Sequence, residues 1–485
     1  MRRSFGGFIT VAGACLLLSG CMVGPKYTVP TAPVPPAFKE AAPEGFKETA
    51  DWHLAAPGDT IARGTWWTIF NDAGLTALEP QVEMANQSLK VADANLRAAR
   101  AAIQVANASR YPTLGAAPFV EGERLSVHQP FFNAANANDG IANLILPLQL
   151  SYEVDLWGRV RRNINAATDE AQATAADRQT ALLSLQAELA TDYFELRAAD
   201  AQQKLLNDTV AQYNEALRVT TNRFQGGIAP KSDLTQAQTQ LQAAKVQAAD
   251  IASGRARFEH AIAILTGQPP AMLTLPAAPL DTVPPPVPLA LPSELLQRRP
   301  DIASAERQAA EANERIGIAR AAFFPTLSLG ASGGFQGTSV ANLFNASSYI
   351  YAVGPTLAQT IFDGGRRRGI SEATLAGYDR TVASYRQTVL TAYQQVEDNL
   401  VALRVLADEA EQQRAATASA KESQRIFNNR YVGGVDTYLQ VITAQTTALT
   451  NQRNDIDILR RRMDATVLLV KALGGGWDRT QLPPR

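Results

Sequence analysis

The side chains best suited to catalysis are scattered along this chain. His53, His128 and His260 stand far apart without ligand spacing, and no G-x-x-x-x-G-K-[ST] loop occurs. No catalytic constellation, metal site or cofactor is expected, so the chain does not read as an enzyme. One cysteine offers chemistry of another kind. Leu18-Ser19-Gly20 sets two small residues before Cys21, at the end of an uncharged run that starts at Gly6 and follows Arg2 and Arg3. That run suits the apolar core of a secretory signal and is too short to span a bilayer. Cleavage before Cys21 would open its thiol and its amine to acylation, and stable anchoring needs more than one acyl chain. The paired arginines would also suit twin-arginine export, although an ordinary signal needs no more than two cations. Cys15 would leave with the signal, so the mature chain could form no internal disulfide. Lys+Arg number 45 against 46 for Asp+Glu, which gives no basic field for nucleic acid.

The remaining candidate groups are charged. Asp436 follows Gly433-Gly434 and leaves two readings open. It could cap a helix beginning at Thr437, as Ser232 or Asp233 would cap the counterpart, or its copies could ring an axis with carboxylates. Arg159, Arg161 and Arg162 recur as Arg366, Arg367 and Arg368. Cations at a helix start oppose the macrodipole, so a compensating anion is expected, with lipid headgroups one source and plain solvation the alternative.

These groups occur twice because the chain is two copies of one unit. Asn222-Arg223-Phe224-Gln225-Gly226-Gly227 returns as Asn429-Arg430-Tyr431-Val432-Gly433-Gly434, a shift of 207, and Pro112-Thr113-Leu114 returns as Pro325-Thr326-Leu327, a shift of 213. Arg159 to Phe224 and Tyr378 to Tyr431 contain neither Gly nor Pro, and apolar residues recur at helical spacing. A helix from Arg159 to Arg223 would be about 97 Å long. In each copy a Gly-Gly turn precedes a shorter helix, Leu234 to Leu265 and Thr437 to Leu473. A further short helix, Gln87 to Arg110 and Pro300 to Phe324, comes before the strands. Two short helices stacked end to end would match one long helix. The Pro-rich stretches 25–57 and 268–292 would then lie at the equator, where the stacked pieces meet.

Period-two runs complete each copy. Leu144, Leu146, Leu148, Leu150, Tyr152 and Val154 alternate with polar residues, and Tyr351, Val353, Leu357 and Ile361 repeat the pattern. This suits strands with one face to lipid and one to a wet lumen, partnered by weaker strands that begin after Pro112 and Pro325. Four strands cannot close a barrel, and hydrocarbon does not tolerate an open edge, so oligomerisation is expected. A soluble monomer with a four-stranded sheet would leave the faces of such long helices uncovered.

Several words in this order resemble the outer-membrane factors, the TolC-like ducts, and among them the NodT-type lipoproteins. They are Cys21 with Val23-Gly24-Pro25-Lys26-Tyr27, then Trp67 and Phe70, then Arg298-Arg299-Pro300-Asp301-Ile302 running to Ile316-Gly317 and Phe324-Pro325. Phe362-Asp363-Gly364-Gly365-Arg366 and Arg430-Tyr431 with Gly433 follow. The end of the signal resembles a lipobox, and Met22, standing where an inner-membrane retention signal would have Asp, favours the outer membrane. The resemblance implies a mainly α fold with a transmembrane β-barrel portion: a homotrimer with a twelve-stranded barrel, four strands per protomer, continued by a long α-helical barrel in the periplasm. It implies an exit duct for drugs or other small molecules. The partners would be a periplasmic adaptor (membrane fusion) protein, an inner-membrane efflux pump of RND type, and outer-membrane lipid through Cys21. The chain would divide into a signal (1–20), a lipidated arm with equatorial segment (21–73), repeat 1 (74–267), an equatorial linker (268–292), repeat 2 (293–475) and a tail (476–485).

On this resemblance Arg223, Phe224, Gly226, Gly227, Arg430, Tyr431, Gly433 and Gly434 would form adaptor-docking tips, and Asp436, Gln440 and Thr443 the periplasmic aperture. Relatives carry acidic residues where Gln440 and Thr443 stand, so the aperture here would be polar and less charged. The alternatives are the outer-membrane part of a type I protein-secretion system, which would share the fold, and a structural coiled-coil lipoprotein, which would need no lumen. Five Met and three His give no support to a metal-efflux variant.

Overall fold

The computed structural model describes residues 22–40, 65–124, 126, 141–280, 282–285, 295–477 and 479–482. The signal segment and Cys21 lie outside them. β1 (Thr113–Ala116) and β2 (Phe119–Glu123) pair with β3 (Ile141–Val154), β3 pairs with β4 (Thr326–Gly337), and β4 pairs with β5 (Tyr349–Ala358), all antiparallel. β1 and β2 are halves of one strand, since Ala116 opposes Leu148 and Phe119 opposes Ile145 without a change of register. Pro118 and Pro147 fall at the interruption, and neither has an N–H to donate. Among the described residues the sheet is therefore four strands wide, with one edge at β1/β2 and the other at β5.

Register assigns the faces. Leu146, Leu148, Leu150, Tyr152 and Val154 of β3 oppose Phe335, Gly333, Ala331, Leu329 and Leu327 of β4, and that row continues into Tyr349, Tyr351, Val353, Pro355 and Leu357 of β5. Opposed residues share a face, so one face is apolar across the sheet. The other carries Gln149, Ser151, Glu153, Ser328, Ser332 and Thr356. Tyr351, Val353 and Leu357 are 74%, 77% and 66% exposed, so the chain itself leaves the apolar face bare. Ile361, expected on this face, lies beyond the end of β5. Aromatic rings bracket the sheet. Phe335 packs against Phe344 and Tyr349 at one end, and Trp157 stacks on Phe324 with centroids 4.7 Å apart at the other. The eleven residue steps from Phe324 to Phe335 span about 36 Å of strand. Tilted by ~40°, that matches an apolar band of ~25 Å between aromatic girdles.

Below the sheet come α1 (Ala73–Ala85), α2 (Gln87–Ala108), α3 (Arg159–Gln225), α4 (Lys231–Leu265), α5 (Pro300–Ala321), α6 (Arg366–Val432) and α7 (Tyr438–Ala472). α3 and α6 have 67 residues each, about 100 Å of helix. α6 begins twelve residues before Tyr378, running through Gly369 and Gly377, where added side chains would meet nothing. Each glycine costs the helix about 1 kcal/mol relative to alanine, which a helix this long absorbs. α4 starts at Lys231 behind Pro230, so Ser232 and Asp233 lie inside its first turn and neither is its cap.

The short helices stack as expected. α2 and then α4 lie along one side of α3, α5 and then α7 along the other, and α6 packs against α5 and α7. At the first junction Asn86 Nδ2 donates to Leu265 O at 2.9 Å, and at the second Arg299 donates to Ala472 O at the same distance. Gly267 and Gly474 turn the chain there at φ of +73° and +96°, each so close to the opposite backbone that a side chain would collide with it. Asp301 grips Arg299 at 2.6 and 3.0 Å, which gives the Arg-Arg-Pro-Asp word a structural role in joining two helices. The result is a layer four helices wide with open edges at α2/α4 and at α6. Among the described residues no helix is long and apolar enough to cross a membrane.

The main apolar core sits at these junctions. Trp66, Phe70, Leu75, Leu189, Phe194, Ile262, Val396, Met463 and Val470 are buried together, each contributing about 1.5–3 kcal/mol. The N-terminal arm and the C-terminal tail cover one face of α5: Tyr27 donates to Glu306 at 2.6 Å and Arg479 reaches the same carboxylate at 2.9 Å. Apart from Ile318 and Arg320 near its end, what stays open on α5 is a stripe through Asp301, Ala305, Gln308 and Arg315, on the side away from the arm.

Candidate functional site

Three places hold the residues singled out by the sequence: the hairpin tips, the strand feet and the arm. At each tip a glycine reverses the chain. Gly227 and Gly434 have φ of +71° and +76° with open space where a Cβ would stand, so the left-handed backbone alone requires glycine. Ile228 N donates to Arg223 O at 2.8 Å and Val435 N to Arg430 O at 2.9 Å, satisfying carbonyls left over at the helix ends.

The two tips touch. Arg223 donates to Val432 O at 3.0 Å and lies over the Tyr431 ring at 4.8 Å, while Tyr431 packs against Tyr438 at 5.2 Å above Ala237 and Val441. Arg223 and Tyr431 therefore bind one tip to the other. The exposed tip surface belongs to Phe224, Ile228, Val432, Val435 and Leu439, at 37%, 70%, 56%, 68% and 58%. Of these only Phe224 had been singled out. The signal for the others was a run of apolar residues around Gly-Gly, which also fits helix packing. A groove of about 740 Å³ rises from the tips between α3 and α6, with Gln212, Glu215, Gln424 and Arg425 on its walls and Tyr438 at its base.

Asp436 does not cap α7: Thr437 holds the cap position and no side chain bonds there. Its carboxylate takes Arg430 at 2.5 and 3.3 Å, which raises the Arg430 guanidinium further above its ordinary value through that hydrogen bond. Gln440 and Thr443 are exposed on the following turns, with the Thr443 hydroxyl donating to Leu439 O at 3.0 Å.

At the strand feet most arginines find their anions within the chain. Arg159 pairs with Glu153, and Arg161 with Asp155 at 3.1 Å. Asp155 also accepts from the backbone N–H of Val160 and of Arg161, both at 3.0 Å, and so caps α3. Arg162 is buried against Glu314 at 2.8 Å. Arg367 takes Asp363 at 2.6 Å and lies over Phe323. For these four, carboxylates next to the helix start stand where lipid was one expected source of charge. The sequence carried the signal in Glu153, Asp155 and Asp363.

The arm explains the Val-Gly-Pro-Lys-Tyr word and corrects the equatorial expectation for 25–57: Pro25 lies near the strand feet, and 41–57 lie outside the described residues. Val23 N donates to Trp157 O at 3.0 Å, and Arg162 donates to Val23 O at 2.8 Å and Pro25 O at 3.1 Å. Gly24 crosses Gly317 so closely that its Cβ would lie 2.7 Å from Gly317 Cα. Burial, and then the bond to Glu306, push the Tyr27 hydroxyl well above its ordinary range.

One serine stands in a word that elsewhere marks a nucleophile. Gly330-Ala331-Ser332-Gly333-Gly334 spells G-x-S-x-G, yet it lies inside β4 with Ser332 paired to Gln149 and Ala352, away from any strand-to-helix turn.

Comparison with known proteins agrees with this geometry. The family described as outer membrane efflux protein matches residues 80–268 and 291–475. The outer membrane protein OprJ of Pseudomonas aeruginosa is 32% identical over 471 residues, covering 96% of this chain and 94% of its own length. The probable efflux pump outer membrane protein TtgC of Pseudomonas putida is 30% identical, covering 97% and 95%. The solved outer-membrane channel OprN superposes with a TM-score of 0.84 at 27% identity, covering 94% of this chain and all of that one.

Proposed function

This chain belongs to the outer membrane efflux protein family, and on that premise we propose that three copies form the outer-membrane exit duct of a tripartite efflux system. It takes drugs or other small molecules from an inner-membrane pump of RND type and a periplasmic adaptor. The observation that carries this reading is the matched pair of open edges. A four-stranded sheet with one apolar face and two unpaired edges stands on a four-helix layer that is also open at both sides. Membrane strands must close. Two copies would give eight strands, whose interior is filled by side chains, whereas three give twelve and leave a lumen. The open stripe of α5, opposite the arm, then lines the tube.

In this reading Cys21 carries the lipid anchor, and 1–20 is removed as a signal. Residues 38–40 and 65–73 of the arm segment 21–73, with the described residues of the linker 268–292 and of the tail 476–485, form the equatorial belt around repeats 74–267 and 293–475. The tips bearing Arg223, Phe224, Gly226, Gly227, Arg430, Tyr431, Gly433 and Gly434 dock the adaptor, with the exposed apolar residues and the groove between α3 and α6 as the contact surface. Asp436, Gln440 and Thr443 frame the aperture, and the Arg430–Asp436 pair leaves it less acidic than free carboxylates would. The duct itself supplies no energy.

Single-channel recording on the purified full-length protein in planar bilayers tests this. Discrete steps, enlarged or altered in cation selectivity by Asp436→Ala, are the expected result. Properly assembled protein that forms no pore, and that becomes soluble without detergent once Cys21 is replaced, would instead mark a lipid-tethered coiled coil.

A further inference from the structure

The arginines at the feet of the two long helices are treated differently by the fold. Arg159, Arg161, Arg162 and Arg367 are each held by a carboxylate of the chain. Arg366 and Arg368 are exposed, and among the described residues neither guanidinium has a hydrogen bond or an ion pair. Both lie in the first turn of α6, where the helix dipole is positive and a cation is least favoured. Glu372, one turn further down, could neutralise at most one of them.

What stands around them points to the partner. Ile361 and Phe362, in the connection just before α6, are 91% and 88% exposed. They follow, just past the end of β5, the residues Tyr351, Val353 and Leu357, which register assigns to the lipid face. Apolar wall, aromatic residues and then cations is the order of groups met on leaving hydrocarbon for a headgroup layer. A second copy of the chain would not answer the charge. Its opposing edge at this height is the end of α2 with the start of β1, where Arg110 and Tyr111 are exposed, while Glu153 and Asp155 are already taken.

We propose that Arg366 and Arg368, with Ile361 and Phe362 above them, seat the phosphate of an anionic phospholipid of the inner leaflet at each junction between copies. The lipid phosphate bridges guanidiniums that would otherwise face like charge across the junction, and its acyl chains lie on the apolar face of β5. This rests on the duct reading, since only a membrane-spanning sheet brings the patch to headgroup depth.

The test uses full-length protein reconstituted in phosphatidylethanolamine vesicles with or without cardiolipin, followed by native mass spectrometry of the extracted assembly and conductance on the same sample. Wild type is expected to retain cardiolipin in preference to phosphatidylethanolamine. Arg366→Gln with Arg368→Gln should lower that affinity roughly 30-fold, at about 1 kcal/mol for each cation near the surface. Lys204→Gln, exposed on α3 and far from the patch, should retain cardiolipin like wild type. Equal retention by wild type and the double variant overturns the proposal. So does displacement of the preference by inorganic phosphate alone, which would mark a free-anion site. Dissociation of the double variant into single chains in both membranes also overturns it, by showing that the arginines bond the neighbouring copy. Conducting protein without lipid preference leaves the duct standing and the lipid seat refuted; protein that forms no pore points instead to failure of the duct reading.

Discussion

Arg162 shows how much one residue can carry. It is 3% exposed, pairs with Glu314, and holds two carbonyls of the arm just past Cys21. Arg162→Ala would leave Glu314 buried without its cation and free the arm, a loss of about 3–5 kcal/mol. The expected readouts are a lower dissociation temperature of the oligomer on gels and faster proteolysis at Lys26. Glu79 makes the opposite case. It is fully buried, neither oxygen has a partner among the described residues, and burial pushes its carboxyl up to about 9 from 4.5. The folded chain keeps a proton there that the unfolded chain releases above 4.5, so stability is fully present below that pH and is lost as pH rises toward 9. Glu79→Gln should therefore be more stable than wild type, by a margin that grows from pH 5 to pH 8.5 in thermal melts. No signal in the sequence separates Glu79 from the exposed acids around it, because its neighbours come from other parts of the chain.

At the scale of elements, the seam between the two hairpins is the part that must yield if the tube is to dilate. Arg460 of α7 crosses it to Glu195 of α3, while also holding Asp457 at 2.8 Å and Asp464 at 3.0 Å on its own helix. Burial, and then Glu195, push Asp464 up to about 7; burial, Glu188 and Glu195 push Asp192 up to about 6. Both are raised carboxyls, so the stability they contribute is complete in acid and is lost as pH climbs through 6 and 7. Hydrogen exchange over 457–464 should accelerate between pH 5.5 and pH 8, and Asp464→Asn should flatten that rise. Arg460→Ala should cost about 2 kcal/mol, between the values for exposed and buried pairs. At the tips, Arg223→Ala removes one hydrogen bond and one cation–π contact, about 1–2 kcal/mol in all, and should give larger conductance steps.

For the molecule as a whole, the two faces of the sheet predict opposite responses to charge. Val353→Lys on the apolar face should cost about 2–4 kcal/mol and lower the yield of assembled protein on unheated gels. Ala352→Lys on the other face should assemble and shift the reversal potential toward anion passage. Equal loss for both would contradict the assignment of lipid and lumen.

The repeat, the long helices, the strand period and the glycine turns were all legible in the sequence. Each depends on residues a few positions apart, although the second long helix starts twelve residues before its Gly- and Pro-free stretch, through Gly369 and Gly377, which local propensity does not foretell. Strand number was legible too, though not the break at Pro118 and Pro147, which needs β1, β2 and β3 set side by side. Tertiary structure decided which charges are spent and which are free. Arg223 became a bond between tips, Asp436 a partner for Arg430, and Arg299 a clasp on Ala472. Among the described residues Arg366 and Arg368 were left unpaired beside a paired Arg367. Many of these partners are more than a hundred residues apart, as Arg162 is from Val23 and Glu314. Periodicity records which way a side chain faces within its own element, whereas charge pairing depends on which elements packing brings together.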